Sequence, residues 1–288
     1  MTDVLLATFT LMPDGEPGGE RLLAALADRG VTARWVRWDD PAVDWAAADL
    51  VVVRSTWDYQ RRCAEFLAWT RRVAAVTPLL NDADTIAWNA DKSYLLPLGE
   101  LVPVVPTELL DDATLVEGLE SATERWGTVV IKPRTGAGGV GVVLAGSVAD
   151  ERLEGLTAAP WVVQPLVESV RTTGESSVYV FAGVAATQVD KVAGGEEIRV
   201  HELYGGSSRP VPLDADRGAL AEKAVRAAGD LLGTEPAYAR VDMMLLADAW
   251  VVSELELIEP GLYLDLVPAN AERFADVVTG RLRSAARG

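Results

Sequence analysis

The sequence predicts a mixed α/β (α+β) protein in which an open, largely parallel sheet is followed by two smaller lobes of helices and antiparallel strands. Three features carry that prediction. Strand-like apolar runs alternate with helical periodicity through roughly the first hundred residues. In 129-VVIKPRTGAGGVGVVLA-145 a glycine cluster lies between two β-branched runs. Beyond Pro165, runs of strand-forming residues separated by short polar turns read as antiparallel strands.

In chain order, 4–10 (VLLATFT) reads as a strand, 19–28 as a helix, 31–38 as a second strand and 48–54 (ADLVVVR) as a third, which together give a parallel, Rossmann-like sheet. Over 61–76, Cys63, Phe66, Leu67, Trp69 and Val73 recur at roughly helical spacing, and 89–99 predicts a further helix. The two prolines of 102-VPVVPT-107 do not suit a central strand, so that stretch reads as an extended linker. A helix over 113–126, a strand ending at Lys132, the glycine hairpin and a strand over 161–164 form the next unit. Strands over 176–181, 184–192 and 198–201, a helix over 215–232, strands over 237–246 and 250–258 and a closing helix over 271–287 complete the chain. The expected units are 1–104, 105–166 and 167–288.

Gly136, Gly138 and Gly141 spell G-x-G-x-x-G, a pattern shared by several phosphate-binding loops. Their flanks decide between them. A dinucleotide fingerprint needs a helix after the third glycine, to receive the pyrophosphate at its N-terminus. Here Val142-Val143-Leu144 follows, which favours a strand. A Walker loop is excluded by the missing G-K-[ST] ending. A kinase hairpin would be followed by H-R-D and D-F-G, and neither triplet occurs. What remains is a hairpin tip whose backbone N–H groups can close over phosphate oxygens, with a plain tight hairpin as the other reading.

Of the 288 residues, 49% are hydrophobic, enough for buried cores in each unit. No apolar run approaches a membrane span, and Met1-Thr2-Asp3 lacks the basic start of a signal peptide, so the expected location is the cytoplasm. The net charge of −17 opposes nonspecific attraction to nucleic acid or anionic membrane. A polyanionic ligand would therefore need Lys and Arg gathered in one cleft, with recruited cations. The single cysteine, Cys63, excludes an internal disulfide and a cysteine metal cluster, and is expected to face a helix core. The single histidine, His201, excludes a multi-histidine metal site and would have to be the sole base of any Ser-His-Asp triad.

The most informative stretches are 238-YARVDMM-244 and 253-SELELIEPGLYLD-265. Strand alternation puts Glu254, Glu256 and Ile258 on one face and Leu255, Leu257 and Glu259 on the other. A hairpin would bring Asp242 alongside Glu254 and Glu256. Three converging carboxylates repel unless a cation binds, and oxygen-only ligands favour Mg²⁺ or Mn²⁺; the other reading is an acidic, solvent-facing strand. Lys132 ends an apolar strand beside the glycines, either snorkelling to solvent or set to meet a phosphate. Lys92 in 88-WNADKSYL-95 reads, unaided, as surface decoration, and Gln164-Pro165 closes a strand where free backbone groups could meet an adenine edge. Arg54, Ser55, Thr56, Asp58 and Tyr59 follow the third strand, where an open parallel sheet binds ligands. Arg199 is either an anion contact or a surface arginine, and Gly205-Gly206 reads either as part of the same site or as a hairpin turn.

Taken in order, I-K-P with its glycine hairpin, V-Q-P, G-E-x-S, a G-G loop, R-V-D and E-L-E-L-I-E-P resemble the ATP-grasp ligases, in particular the glutathione synthetase and RimK-like branch. Within it, 54-RSTWDY-59 and 88-WNADKSYL-95 resemble the subgroup that includes the cycloserine-forming cyclo-ligase of antibiotic biosynthesis. The resemblance runs from about Arg54 to Pro260. It implies an ATP-grasp fold, with an N-terminal Rossmann-like domain and two lobes clasping ATP. It further implies that Lys92 and Lys132 contact ATP phosphates, that Gly136, Ala137, Gly138, Gly139, Val140 and Gly141 close over them, and that Gln164, Pro165, Leu166 and Val167 line the adenine hinge. Glu175 would take the ribose hydroxyls. Asp242, Glu254 and Glu256 would hold two Mg²⁺ ions, with Glu256 standing where many relatives carry Asn. Lys191, Arg199 and Arg240 would steady the transferred group, and Arg54, Ser55, Thr56, Asp58, Tyr59, Gly205 and Gly206 would meet substrate. The implied reaction joins a carboxylate to an amine of small amino acids through an acyl phosphate, with ring closure within one molecule or nucleotide binding without turnover as alternatives. A homo-oligomer accords with the family's habit.

Overall fold

In the computed structural model, which describes residues 2–195 and 197–285, three sheets are arranged around one cleft. The first is parallel, with β1 (Thr2–Thr8) between β2 (Val31–Arg37) and β3 (Leu50–Ser55), and α1 (Gly19–Ala27) makes the crossover. All six residues of β3 are buried, as expected for a strand covered on both faces. A 3₁₀ turn, Tyr59–Arg62, leads into α2 (Cys63–Ala74). Cys63 is half-buried at the start of α2, against a cluster that includes Trp38, Phe66 and Trp69.

The helix expected over 89–99 is broken into α3 (Ala83–Asn89), a 3₁₀ turn Lys92–Tyr94 and α4 (Leu95–Gly99). Asp91 explains the break. Its carboxylate accepts the Ser93 N–H at 2.9 Å, a local side-chain bond that starts a new turn instead of continuing the old one.

The second sheet is antiparallel. β4 (Glu108–Leu110), β5 (Val129–Pro133), β6 (Val143–Ala145) and β7 (Trp161–Pro165) lie in the order β4-β7-β5-β6, with α5 (Leu115–Trp126) packed on them. β5 and β6 form the hairpin expected around the glycines, pairing Val129 with Ala145 and Ile131 with Val143.

The third sheet holds β8 (Glu175–Phe181), β9 (Val184–Val192), β10 (Ser207–Val211), β11 (Tyr238–Leu246) and β12 (Ala249–Glu256) in the order β10-β9-β8-β11-β12, with α6 (Ala215–Leu232) across it. The strand expected over 198–201 does not form. The Glu197 carboxylate accepts the N–H groups of Ile198 (2.9 Å) and Arg199 (3.1 Å), which removes those donors from any ladder, and the chain turns through Glu202–Tyr204 instead. The edge strand is β10, where Pro210 is tolerated because an edge needs no ladder donor on its outer side.

The C-terminal helix α7 (Ala269–Ala285) packs on the first sheet's α1, where Arg29 bridges Glu272 and Asp276 at 2.8 Å each. The closing helix was expected to reach Arg287; residues 286–288 lie outside the described residues. Residues 94–102 pack against α6 and the third sheet. Gly18 ties the ends together: at φ 78° a Cβ there would lie 2.6 Å from the Asp265 amide nitrogen. No helix among the described residues is long and apolar enough to cross a membrane.

Candidate active site

One cavity of about 680 Å³ is lined by the second and third sheets and by loops that leave the first. Its floor is the β11–β12 hairpin, whose register pairs Asp242 with Glu254 and Arg240 with Glu256. The three sequence-predicted carboxylates therefore do share one strand pair, and the cations around them set their electrostatics. Arg240 grips Asp242 with Nε (2.9 Å) and Nη2 (2.7 Å) and reaches Glu256 at 2.5 Å. Lys191 bonds Glu175 at 3.1 Å and lies 3.5 Å from Asp242. Lys92 bonds Glu254 at 2.9 Å.

These contacts separate the protonation behaviour of the four acids. Burial raises each. At Asp242, Arg240 and Lys191 outweigh it and hold the carboxyl well below the usual range. At Glu254, Lys92 and Lys132 outweigh burial and lower the carboxyl. At Glu256, burial reinforced by Asp242 and Glu254 wins over Arg240, and the pKa rises to about 7. Glu175 also rises, from burial and the charge of Asp242 against Lys191. Burial and Arg240 push the Lys191 ammonium down, but Asp242 and Glu175 prevail and its pKa is raised. Among the described residues no three such side chains stand ready as a metal cage, because the carboxylate oxygens face guanidinium and ammonium groups.

Above the floor, Lys92 also donates to the Gly136 carbonyl at 2.8 Å, so its ammonium joins the flap to Glu254. The Lys92 N–H donates to Arg134 (2.8 Å), and Arg134 clamps Asp91 with bonds of 2.8 and 2.6 Å. The turn judged from sequence to be surface decoration is in fact locked to the base of the flap. Lys132 lines the cavity with no ion pair among the described residues, and burial lowers its pKa against the pull of Glu254. Gly136, Ala137, Gly138, Gly139 and Val140 line the cavity. Gly141 stands outside the lining: at φ 72° a Cβ would come within 2.7 Å of Thr157 and 2.9 Å of Pro133. At the cavity rim Arg199 lies against Gly139 of the flap, stacks 3.6 Å above the Tyr204 ring and bonds Glu197 at 2.6 Å.

At the hinge, Gln164, Pro165, Leu166 and Val167 line the cavity beside Val105, Val130 and Met244. The Gln164 side chain is tied to Thr107 (2.9 Å) and the Leu166 N–H to Thr128 (3.0 Å). That leaves the Leu166 carbonyl and Val167 N–H without hydrogen-bond partners among the described residues, an acceptor and a donor next to apolar walls.

The predicted substrate residues fare differently. Tyr59 lines the cavity, whereas Arg54, Ser55, Thr56 and Asp58 do not. Arg54 is fully buried, bonding Glu16 at 2.5 Å and the Pro260 carbonyl at 2.8 Å, and Ser55 bonds Thr8 at 2.9 Å. Asp58 receives Trp38 Nε1 (2.9 Å) and Arg62 (3.0 Å). Gly205 and Gly206 sit behind the rim, next to the lining residues His201, Glu202 and Leu203. The sequence reading missed Glu16, Trp57, Arg61 and Glu259, which all line the cavity. Glu16 follows the first strand of the parallel sheet, a placement that points to the crevice. Glu259 was assigned to the face opposite Glu254 and Glu256, but β12 stops at Glu256 and strand alternation no longer governs the residues after it.

Comparison with known proteins agrees with this architecture. Residues 4–81 match the model of the D-cycloserine synthetase DcsG N-terminal domain. The cycloserine biosynthesis protein DcsG of Streptomyces lavendulae is 33% identical over 279 residues, covering 91% of this chain and 93% of that protein. The crystal structure of D-cycloserine synthetase DcsG superposes with a TM-score of 0.86 at 30% identity, over 97% of this chain and 99% of that one. The ATP-grasp ligase PsnB, complexed with a phosphomimetic variant of its minimal precursor, Mg and ADP, shares the fold at a TM-score of 0.62 and 17% identity, over 97% and 98% of the two chains. With that identity over that share of its length, the chain belongs to the D-cycloserine synthetase family within the ATP-grasp ligases.

Proposed function

We propose that this enzyme activates the carboxylate of a small amino acid as an acyl phosphate and couples it to an amine, forming an amide and releasing ADP and phosphate. The observation that carries the reading is the convergence of Lys92, Lys132, Lys191, Arg240 and the glycine flap over a carboxylate hairpin in one cavity. A substrate carboxylate oxygen attacks the γ-phosphorus and the bond to the β–γ bridging oxygen breaks. The amine nitrogen then attacks the acyl carbon, and phosphate leaves with one of the original carboxylate oxygens. Such transfers need positioning and charge neutralisation, not a nucleophilic side chain.

The hinge would hold adenine through the Leu166 carbonyl and Val167 N–H, and Glu175 would take the ribose. Lys92 and Lys132 would bind the phosphates under residues 136–141, and Arg240, Lys191 and Arg199 would steady the phosphoryl and acyl-phosphate groups. The acids would suit Mg²⁺ on exchange for their present cationic partners: their donors are all oxygen, and Asp242 lies opposite Glu254 across one strand pair with Glu256 next along it. Asp242, Glu254 and Glu256 would hold two such ions, with Mn²⁺ as the alternative. The metal would neutralise charge on the phosphates.

Ring closure within a single substrate is the second reading, favoured by 33% identity to a cycloserine biosynthesis protein. Incubation with ATP, Mg²⁺ and pooled amino acids, followed by nucleotide analysis and mass spectrometry, separates the two. ADP with a product of two amino acids less water supports ligation, and a product derived from one substrate supports cyclisation. AMP with pyrophosphate defeats both.

A further inference from the structure

The cavity contains two polar groups that the proposed chemistry leaves unused. Glu259 is 7% exposed and Tyr59 is 5% exposed, and both line the cavity. Among the described residues the Glu259 carboxyl meets only its own backbone N–H and the Tyr59 hydroxyl has no hydrogen-bond partner, although buried polar groups are almost always well paired. A carboxylate with no cation beside it is costly to keep in such a place, and a cationic group entering the cavity would compensate it. Its backbone is fixed, since the Glu259 carbonyl accepts Trp57 Nε1 at 3.0 Å, and the Trp57 ring lines the same wall. Glu16, the neighbouring acid, differs because both its oxygens are already used, by Arg54 at 2.5 Å and the Leu262 N–H at 2.6 Å.

We propose that Glu259 and Tyr59, backed by Trp57, form a subsite for a positively charged amino group of the substrate. This deepens the ligase reading and rests on it for the identity of the bound molecule. One carboxylate beside two aromatic rings matches an ammonium group, which needs a counter-charge, an acceptor and a polarisable wall. Mg²⁺ is the poorer match, because it demands six oxygens in an octahedral shell. Burial, with the charge of Glu256, raises the Glu259 pKa well above the usual carboxylate range, in keeping with a group that lacks its partner cation. Burial, with the charges of Glu259, Glu254 and Glu256, raises the Tyr59 pKa well above its ordinary value, so its hydroxyl stays protonated and able to donate.

The test uses the whole protein with two readouts. Paired acids are supplied with ATP and Mg²⁺: D- and L-amino acids, and the same acids lacking the amino group. ADP formation should respond to the amino acids and not to their des-amino partners. Glu259→Gln should raise KM for the amino acid on the order of a hundredfold with KM for ATP unchanged, and Tyr59→Phe should shift it in the same direction by less. In the ligand-free protein Glu259→Gln should raise Tm, because it removes an uncompensated buried carboxyl. Equal response to des-amino acids, an unaltered amino-acid KM, or a lowered Tm in Glu259→Gln overturns the subsite. If no acid stimulates ADP formation, the ligase reading fails by itself, and the direction of the Tm change still decides whether Glu259 is held in place at a cost to stability.

Discussion

Replacing Arg54 by Met tests whether this arginine supports the structure or binds substrate. Its guanidinium lies 2.5 Å from the Glu16 carboxylate, with the two side chains 0% and 2% exposed, and it also holds the Pro260 carbonyl at 2.8 Å. Breaking one partner of a buried pair costs about 3–5 kcal/mol, because a buried charge is left uncompensated. Glu16 would retain only the Leu262 N–H. Two features pull in opposite directions. Among the described residues Arg54 Nε and Nη1 are buried without partners, so Met removes two orphan donors worth about 1 kcal/mol or more each. The guanidinium also stacks 4.8 Å from the Phe274 ring centre, a contact worth about 2 kcal/mol when desolvated. The net expectation is a loss of about 3 kcal/mol. Urea unfolding followed by tryptophan fluorescence reads it, and Arg54→Met combined with Glu16→Gln should recover at least about 1 kcal/mol relative to the single variant. A single variant as stable as the parent but with a raised substrate KM would refute the structural role.

Three further outcomes are expected. Lys132→Met should reduce kcat/KM for ATP by about a hundredfold or more while leaving stability unchanged or higher, since it deletes a desolvated cation that has no ion pair among the described residues; urea midpoints and ADP assays check both halves. Glu256 carries a folded pKa of about 7 against an ordinary carboxylate in the unfolded chain, so the folded metal-free protein binds the proton more tightly. Its contribution to stability is therefore full at low pH and is lost as pH rises through about 7, and Glu256→Gln should flatten that decline in urea midpoints taken across the range. Gly141→Ala should weaken ATP binding several-fold, because its positive φ costs about 1–3 kcal/mol and its Cβ meets Thr157, whereas Gly138→Ala, strained but facing open space, should be milder. Calorimetric titration with ATP and Mg²⁺ compares the two.

Local rules made most of the fold legible. The parallel first sheet, the glycine hairpin and the β11–β12 carboxylate pair all follow from period, turn chemistry and β-branching, which act over a few residues. Failures came where side chains compete with the backbone: Asp91 restarts a helix, and Glu197 takes the amides of a would-be strand. Lys92 shows the limit for function, since nothing around it in sequence reveals that it will meet Gly136 and Glu254, which lie far along the chain. Arg54 shows the converse. Its place at a strand end pointed to the crevice, yet Glu16 captures it from 38 residues away. Glu259 was lost because alternation was carried past the end of β12.

The most direct test of acyl-phosphate chemistry follows the oxygen. A turnover-competent amino acid labelled with oxygen-18 in its carboxylate is incubated with ATP and Mg²⁺, and the released nucleotide and phosphate are analysed by mass. The account predicts ADP, and inorganic phosphate carrying one labelled oxygen for each product formed. Label in AMP, or phosphate without label, would contradict it.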